Sequence, residues 1–280
     1  MILFPNCKIN LGLHITRKRA DGYHDLETVF YPLPLRDAVE IVHTPTSAQG
    51  FPLHESTGTV DLHLTGLPVK GLQADNLCVK AWHLLKKDYP GLPPIQLHLH
   101  KHIPMGAGLG GGSADAAFTL VLLNDKFKLG ISTDQLLDYA LQLGSDCPFF
   151  IINRPCVATG RGELMETISL DLSKYTFLLV YPEVHINTGW AFSQITPAPG
   201  AQPLSDIVQQ PVETWKDTLI NDFEAPVCQL HPQLQHIKDT LYAAGAAYAS
   251  MTGSGSSFYG LFADGNVPTD LFPSYKSFII

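Results

Sequence analysis

Apolar and polar residues alternate along Cys7 to Ile15, Ala38 to His43, Val60 to Thr65 and Ile95 to Ile103. That period of two predicts half-buried strands. A helical spacing takes over after Asp75-Asn76, where Leu77, Ala81, Leu84 and Leu85 would share one face. Ser113 to Asn124, rich in Ala and Leu, reads as a second helix. Ser132, with Gln135 three residues on, predicts a capping box that opens a third helix, which Gly144 closes. Further along come a strand at Thr176 to Tyr181 and a helix at Pro232 to Ala244, and then strands at Ala247 to Met251 and Phe258 to Phe262 around the turn TGSGS. The Pro-, Gly- and Gln-rich stretch from Pro197 to Pro211 reads as a long loop or variable insertion. Strands and helices mix without strict βαβ alternation, which predicts an α+β fold. The order of these elements suggests a cut near residue 155.

Composition narrows the function. Of 280 residues, 45% are hydrophobic and 16% charged, enough for a sizeable core. The net charge of −8, from 26 acidic against 18 basic residues, argues against nucleic acid or an anionic membrane as main partner. An anionic small substrate then needs a local device to attract it. Five scattered cysteines without a CxxC suit a reducing compartment, and no apolar run approaches a bilayer span. The start MILFPNCKIN lacks the basic and apolar pattern of a signal peptide, so a cytoplasmic protein is expected.

The local device is PMGAGLGGGSADAA, with five glycines among residues 106–112 between a predicted strand and helix. Glycine lets backbone N–H groups approach an anion and tolerates positive φ, while a following helix adds free N–H groups and a positive dipole end. The stretch therefore reads as a phosphate cradle. Gly106 to Gly111 also matches GxGxxG, the dinucleotide fingerprint. Asp125 stands at the right distance for that motif but between helical segments, and four strands precede the loop. A Walker loop is absent, since no Gly-Lys-Ser/Thr occurs. A flexible turn is the third reading of the residues.

Three stretches in order resemble the GHMP kinases, the family of galactokinase, homoserine kinase, mevalonate kinase and phosphomevalonate kinase. PMGAGLGGGSADAA is similar to the family's second motif, MTGSGSSFYGLF to its third and PNCKINLGLHI to its first. The resemblance implies a two-domain fold, ribosomal-protein-S5-like over residues 1–155 and ferredoxin-like over 156–280, with ATP and substrate meeting in the cleft between them. ATP, as its Mg²⁺ complex, would lie on Pro104, Met105, Gly106, Ala107, Gly108, Leu109, Gly110, Gly111, Gly112, Ser113 and Ala114. Ser113 is equally well read as a helix N-cap. Asp146, in LGSDCPFF, matches the family's catalytic aspartate and Lys8 its N-terminal lysine. No carboxylate cluster looks like a dedicated metal site.

Within the family, the block RADGYH most resembles members whose substrate is a cytidine diphosphate-linked methylerythritol, phosphorylated on its 2-hydroxyl in the non-mevalonate route to isoprenoids. By that resemblance Tyr23 and His24 would bind cytosine, and Phe192 would supply a second aromatic face, with Trp190 as the substitute stacker. Asn10 and Thr188 would add polar lining. Another small-alcohol kinase of the family is the alternative, as is a catalytically silent binder. Retention of both Lys8 and Asp146 counts against the binder. His98, His100 and His102 alternate on one strand face and suggest zinc, although a solvated face opposite Ile95, Leu97 and Leu99 accounts for them as well. No oligomeric state is predicted.

Overall fold

The structure, a computed structural model, describes residues 1–43, 60–198, 200, 202–263, 265 and 267–280. Along the chain run β1 (Ile2–Leu3), β2 (Asn6–Lys18), β3 (His24–Arg36), β4 (Ala38–His43) and β5 (Val60–Gly66). Then follow α1 (Leu77–Asp88), β6 (Ile95–Lys101), α2 (Gly111–Phe127), α3 (Thr133–Leu143) and α4 (Cys147–Ile152). The remainder holds β7 (Cys156–Thr159), β8 (Leu164–Thr167), β9 (Tyr175–Tyr181), α5 (Thr188–Ser193), α6 (Leu204–Ile207), α7 (Glu224–Leu230) and α8 (Pro232–Ala243). It closes with β10 (Tyr248–Met251), β11 (Phe258–Ala263) and β12 (Lys276–Ile279). No helix among the described residues is long and apolar enough to cross a membrane.

The chain packs as two compact units, one of Met1–Cys7, Leu35–Met105 and Gly111–Asn153, the other of Lys8–Pro34, Gly106–Gly110 and Arg154–Ile280. A single cut near 155 therefore differs from the packing. Residues 8–34 and 106–110 go with the later chain. The reason is a long-range sheet, β2-β3-β7-β8, which a linear reading cannot foresee.

In the first unit the sheet order is β1-β4-β6-β5, with β4 antiparallel and β5 parallel to β6. Val39, Ile41, Leu62, Ile95, Leu97 and Leu99 are buried from this sheet, in one core with Trp82 of α1, Leu120 of α2 and Leu136 of α3. Burying each such side chain contributes roughly 1.5–3 kcal/mol, against about 0–1 for an exposed ion pair. This core, and not the surface charges, holds the unit together. Asn76 caps α1 by accepting from Cys78 N, and Ser132 with Gln135 forms the capping box of α3. His98 and His100 point to the exposed side of β6, His98 stacking on His63 at 4.7 Å. The strand ends at Lys101, so His102 lies beyond it.

The second unit holds the sheet β10-β11-β9-β12, antiparallel throughout. Leu178, Val180 and Phe258 from it are buried in one cluster with Leu234, Ile237 and Leu241 of α8. β3 has no counterpart among the strands read from sequence. Pro32 and Pro34 sit inside it and remove two ladder donors, yet Val29 still pairs with Val157 of β7. The stretch Pro197 to Pro211, of which 199 and 201 lie outside the described residues, contains α6, with Leu204 and Ile207 buried.

Candidate active site

On β2, Cys7, Ile9, Leu11 and Leu13 take the apolar phase and are buried, which leaves Lys8 and Asn10 on the other phase. Those two are also buried, at 3% and 1% exposure. A buried ammonium needs polar partners, and Lys8 Nζ donates to Asn10 Oδ1 at 2.7 Å. It also lies 4.8 Å from the centre of the Phe30 ring. Asn10 Nδ2 donates to Thr28 Oγ1 at 2.9 Å, and Thr28 in turn donates to the Gly12 carbonyl at 2.6 Å. The Asn10 backbone N–H reaches Thr252 Oγ1 at 3.1 Å, and Tyr259 Oη donates to the Asn10 carbonyl. Asn10 thus anchors the lysine through Oδ1 and bonds Thr28 through Nδ2.

The same network grips the glycine loop. Thr252 Oγ1 donates to the Gly108 carbonyl at 3.1 Å, and Lys8 N–H to the Leu109 carbonyl at 3.0 Å. Gly106, Gly108 and Gly110 have φ of +66°, +78° and +70°, conformations that side chains rarely adopt. The turn TGSGS is thereby the support of the loop, through Thr252. Pro104 is buried and Met105 exposed, both in the first unit together with Gly111, Gly112, Ser113 and Ala114. Helix α2 begins at Gly111, so Ser113 lies inside its first turn and is not an N-cap as the sequence allowed. The N–H groups of that first turn have no intrahelical acceptors.

Tyr23 and His24 leave a turn in which Arg19 N–H bonds the Tyr23 carbonyl at 2.8 Å and Asp21 Oδ1 accepts from Tyr23 N–H at 3.1 Å. That backbone bond, with Arg19 nearby, holds the Asp21 carboxyl below the usual range. Tyr23 is 57% exposed. His24 stacks on Phe192 with ring centres 4.9 Å apart, and Phe192 meets Phe223 edge-on. Phe192 is thus in ring contact with the DGYH block through His24. Thr188 opens α5 and its hydroxyl bonds Ser254 Oγ at 3.1 Å.

Asp146 is half-buried and occupies the position before α4, but its side chain makes no capping bond to that helix. Cys147 beside it is fully buried, and burial with the Asp146 charge pushes its thiol up to about 12, against a hydrogen bond from Ser113. Among the described residues, no group of three or more His, Cys, Asp or Glu could hold a metal.

Sequence reading missed a cavity of about 140 Å³ in the first unit. Leu64, Val69, Leu72 and Leu99 form its apolar walls, Met105 and Gly112 its edge, and Lys101 and Asp115 its polar end. Lys101 Nζ, fully buried, donates to Asp37 Oδ2 and to Asp115 Oδ2, the latter at 2.7 Å. Burial alone would lower the Lys101 pKa, but the two carboxylates outweigh it and raise it. One cation cannot balance both acids. Burial accordingly pushes the Asp115 carboxyl up to about 8, and its Oδ1 has no hydrogen-bond partner among the described residues. A signal was present in the sequence, since Lys101 falls in phase with Ile95, Leu97 and Leu99 on the buried side of β6.

Comparison with known proteins agrees with this geometry. The family description "GHMP kinases N terminal domain" matches residues 76–154, and "GHMP kinases C terminal" matches 213–271. A Bacteroides fragilis protein named 4-diphosphocytidyl-2-C-methyl-D-erythritol kinase is 51% identical over 263 residues, covering 94% of this chain and 92% of its own. A Bacteroides thetaiotaomicron protein of the same name is 51% identical over 269 residues, covering 96% and 94%. A crystal structure of 4-(cytidine 5'-diphospho)-2C-methyl-D-erythritol kinase superposes with a TM-score of 0.81 at 27% identity, over 100% of this chain and 98% of that one. A mevalonate kinase structure, at 14% identity and a TM-score of 0.71, shares the fold. With motifs, fold and relatives in agreement, this chain belongs to the GHMP kinase family, in the branch of its 4-diphosphocytidyl-2-C-methyl-D-erythritol kinase relatives.

Proposed function

We propose that this chain transfers the γ-phosphoryl group of ATP to the 2-hydroxyl of 4-diphosphocytidyl-2-C-methyl-D-erythritol, giving the 2-phosphate and ADP for isoprenoid precursor synthesis. The observation that carries the reading is the network joining buried Lys8, Asn10, Thr252 and left-handed Gly108. It occurs in a chain 51% identical to relatives named for this kinase.

Phosphoryl transfer is mostly positioning and charge stabilisation. Loop residues Gly106 to Gly110 and the first turn of α2 would bind the triphosphate through backbone N–H groups, assisted by the helix dipole. The cavity edged by Met105 and Gly112 would take the adenine between Leu64, Leu72 and Leu99. Lys8, held by Asn10, would offset charge on the transferring group. Asp146 would orient the 2-hydroxyl and accept its proton. Because a carboxylate is a far weaker base than an alkoxide, that proton moves late. The hydroxyl oxygen bonds the γ-phosphorus in line as the bridging oxygen departs with ADP, without a phosphoenzyme.

Magnesium would arrive on the ATP phosphates. When bound, it neutralises phosphate charge. Tyr23, His24 and Phe192 would hold the cytosine, with Thr188 beside them, and the stacked His24 and Phe192 rings support that assignment. All five cysteines are buried thiols, which favours a cytoplasmic enzyme.

The test is ADP release with ATP and Mg²⁺, comparing the cytidylyl substrate with mevalonate, homoserine and galactose. Turnover only with the cytidylyl compound supports the reading. Turnover only with another alcohol keeps the kinase and discards the substrate.

A further inference from the structure

Asn221 is buried, at 2% exposure, and its amide is bonded on every side. Its Nδ2 donates to two carbonyls of one turn, that of Met251 at 2.8 Å and that of Gly253 at 2.9 Å. Its Oδ1 accepts from Phe223 N–H at 3.0 Å. The backbone fixes where this amide sits. Leu13 N–H bonds the Ile220 carbonyl and Asp222 N–H bonds the Leu13 carbonyl, both at 2.9 Å, so β2 holds the residues on either side of Asn221. Asp222 Oδ2 also accepts from Ile15 N–H at 2.7 Å.

The two carbonyls that Asn221 holds flank Thr252, whose hydroxyl donates to the Gly108 carbonyl. Gly253 packs on the same loop residue, since a Cβ at 253 would fall 3.1 Å from Gly108 Cα. A shift of residues 251–253 would therefore displace Gly108 or break its hydrogen bond. Gly108 takes φ of +78°, one of many conformations open to a glycine, so something outside the loop has to select it. Holding a loop in its bound shape before the ligand arrives lowers the ordering cost of binding. The chain from β2 through Asn221 and Thr252 to Gly108 supplies that selection.

We propose that Asn221 is a positioning residue for phosphoryl transfer, its amide setting residues 251–253 so that Thr252 keeps the glycine loop in the shape that receives the phosphates of the nucleotide. The proposal rests on the reading of that loop as the triphosphate cradle. Asn221 acts through Thr252 and not by contact with a substrate.

Calorimetric titration of the full chain with ATP and with adenosine tests it, alongside steady-state kinetics with the cytidylyl substrate varied. Asn221→Ala should weaken ATP about tenfold and adenosine, which brings no phosphates to the loop, less than about twofold. The KM for the cytidylyl substrate should stay within about twofold of wild type. Thr252→Val, which keeps the shape and removes the hydroxyl, should weaken ATP by a similar factor. Because the two residues act in series, the double variant should lose no more than about twofold beyond either single one. A merely structural role would weaken ATP and adenosine alike and add in full to the Thr252→Val loss, and that pattern overturns the inference. Asn221→Ser, with a shorter side chain and one donor, should recover part of the ATP affinity and leave it about threefold weak. ATP affinity within about twofold of wild type in a folded Asn221→Ala protein overturns the inference and leaves the kinase reading standing. If Asn221→Ala does not fold, wild-type ATP affinity in Asn221→Ser overturns it equally. A wild-type chain that binds ATP no more tightly than adenosine removes the cradle reading, and this inference with it.

Discussion

Gly108 lies directly against Thr252. A Cβ at position 108 would fall 2.1 Å from the Thr252 carbonyl oxygen, while the Thr252 hydroxyl donates to the Gly108 carbonyl at 3.1 Å. The loop and its support are locked from both sides, and neither obstacle is a flexible side chain. Gly108→Ala must also adopt φ near +78°. We expect a loss of about 1–3 kcal/mol of stability, with ATP protection reduced more than the melting temperature alone accounts for. Thermal melts with and without ATP check this. Unchanged melting in both would mean that the loop is not clamped as described.

Asn10 is the hydrogen-bonded neighbour of Lys8 in the buried network, so Asn10→Ala should act on both stability and rate. It removes the amide that donates to Thr28 Oγ1 and takes the amide oxygen from Lys8 Nζ. Each buried hydrogen bond lost costs about 0.5–1.5 kcal/mol. Denaturant unfolding should register that loss, and kcat should fall as Lys8 loses its position. A normal unfolding midpoint would show that the network carries no energy.

For Asp146→Asn the expectation is the opposite pairing, stability kept and turnover lost. The side chain does not cap α4, so the amide should leave the helix start intact. Loss of proton acceptance should lower kcat about 10²–10⁴-fold. ATP affinity, read by calorimetry, should stay close to wild type. Turnover within tenfold of wild type would remove Asp146 from the chemistry.

Asp115 sets a pH dependence. Burial raises its pKa from 3.8 to about 8 in the folded chain. Between those values the folded protein keeps a proton that the unfolded chain releases, so each step up in pH favours unfolding. The contribution is greatest below the lower value and is lost as pH rises through the higher one. Melting temperature should therefore fall between about pH 5 and pH 8.5, and Asp115→Asn, which carries no titrating group, should flatten that fall. Parallel curves for the two proteins would place the Asp115 proton elsewhere. The same variant should leave the Lys101–Asp37 pair intact, which keeps the comparison clean.

Much of this protein is legible along the chain because the controlling interactions are local. The capping box of Ser132 and Gln135 is complete within four residues, and α1, α3, β6, β9 and β11 follow from spacing that side chains impose on their own segment. The left-handed glycines announce a backbone that only glycine adopts cheaply. Motif resemblance supplied Lys8, Asp146, Tyr23, His24 and Phe192, each named by type and order and not by contact.

Contacts between distant segments were decided by folding alone. β3 is a strand despite two prolines, and its residues Thr28 to Phe30 pair with β7, a contact no window of sequence contains. That Lys8, Thr28 and Thr252 meet at Asn10 is visible only in the fold. Lys101 stands between carboxylates 64 and 14 residues away, and Asn221 bonds carbonyls 30 and 32 residues away. By itself the sequence determined the motifs, the local elements and the family, since these depend on residue type and near neighbours. Only the tertiary structure decided which buried charges meet and which turn Asn221 holds, because burial and distance depend on the fold and not on position along the chain.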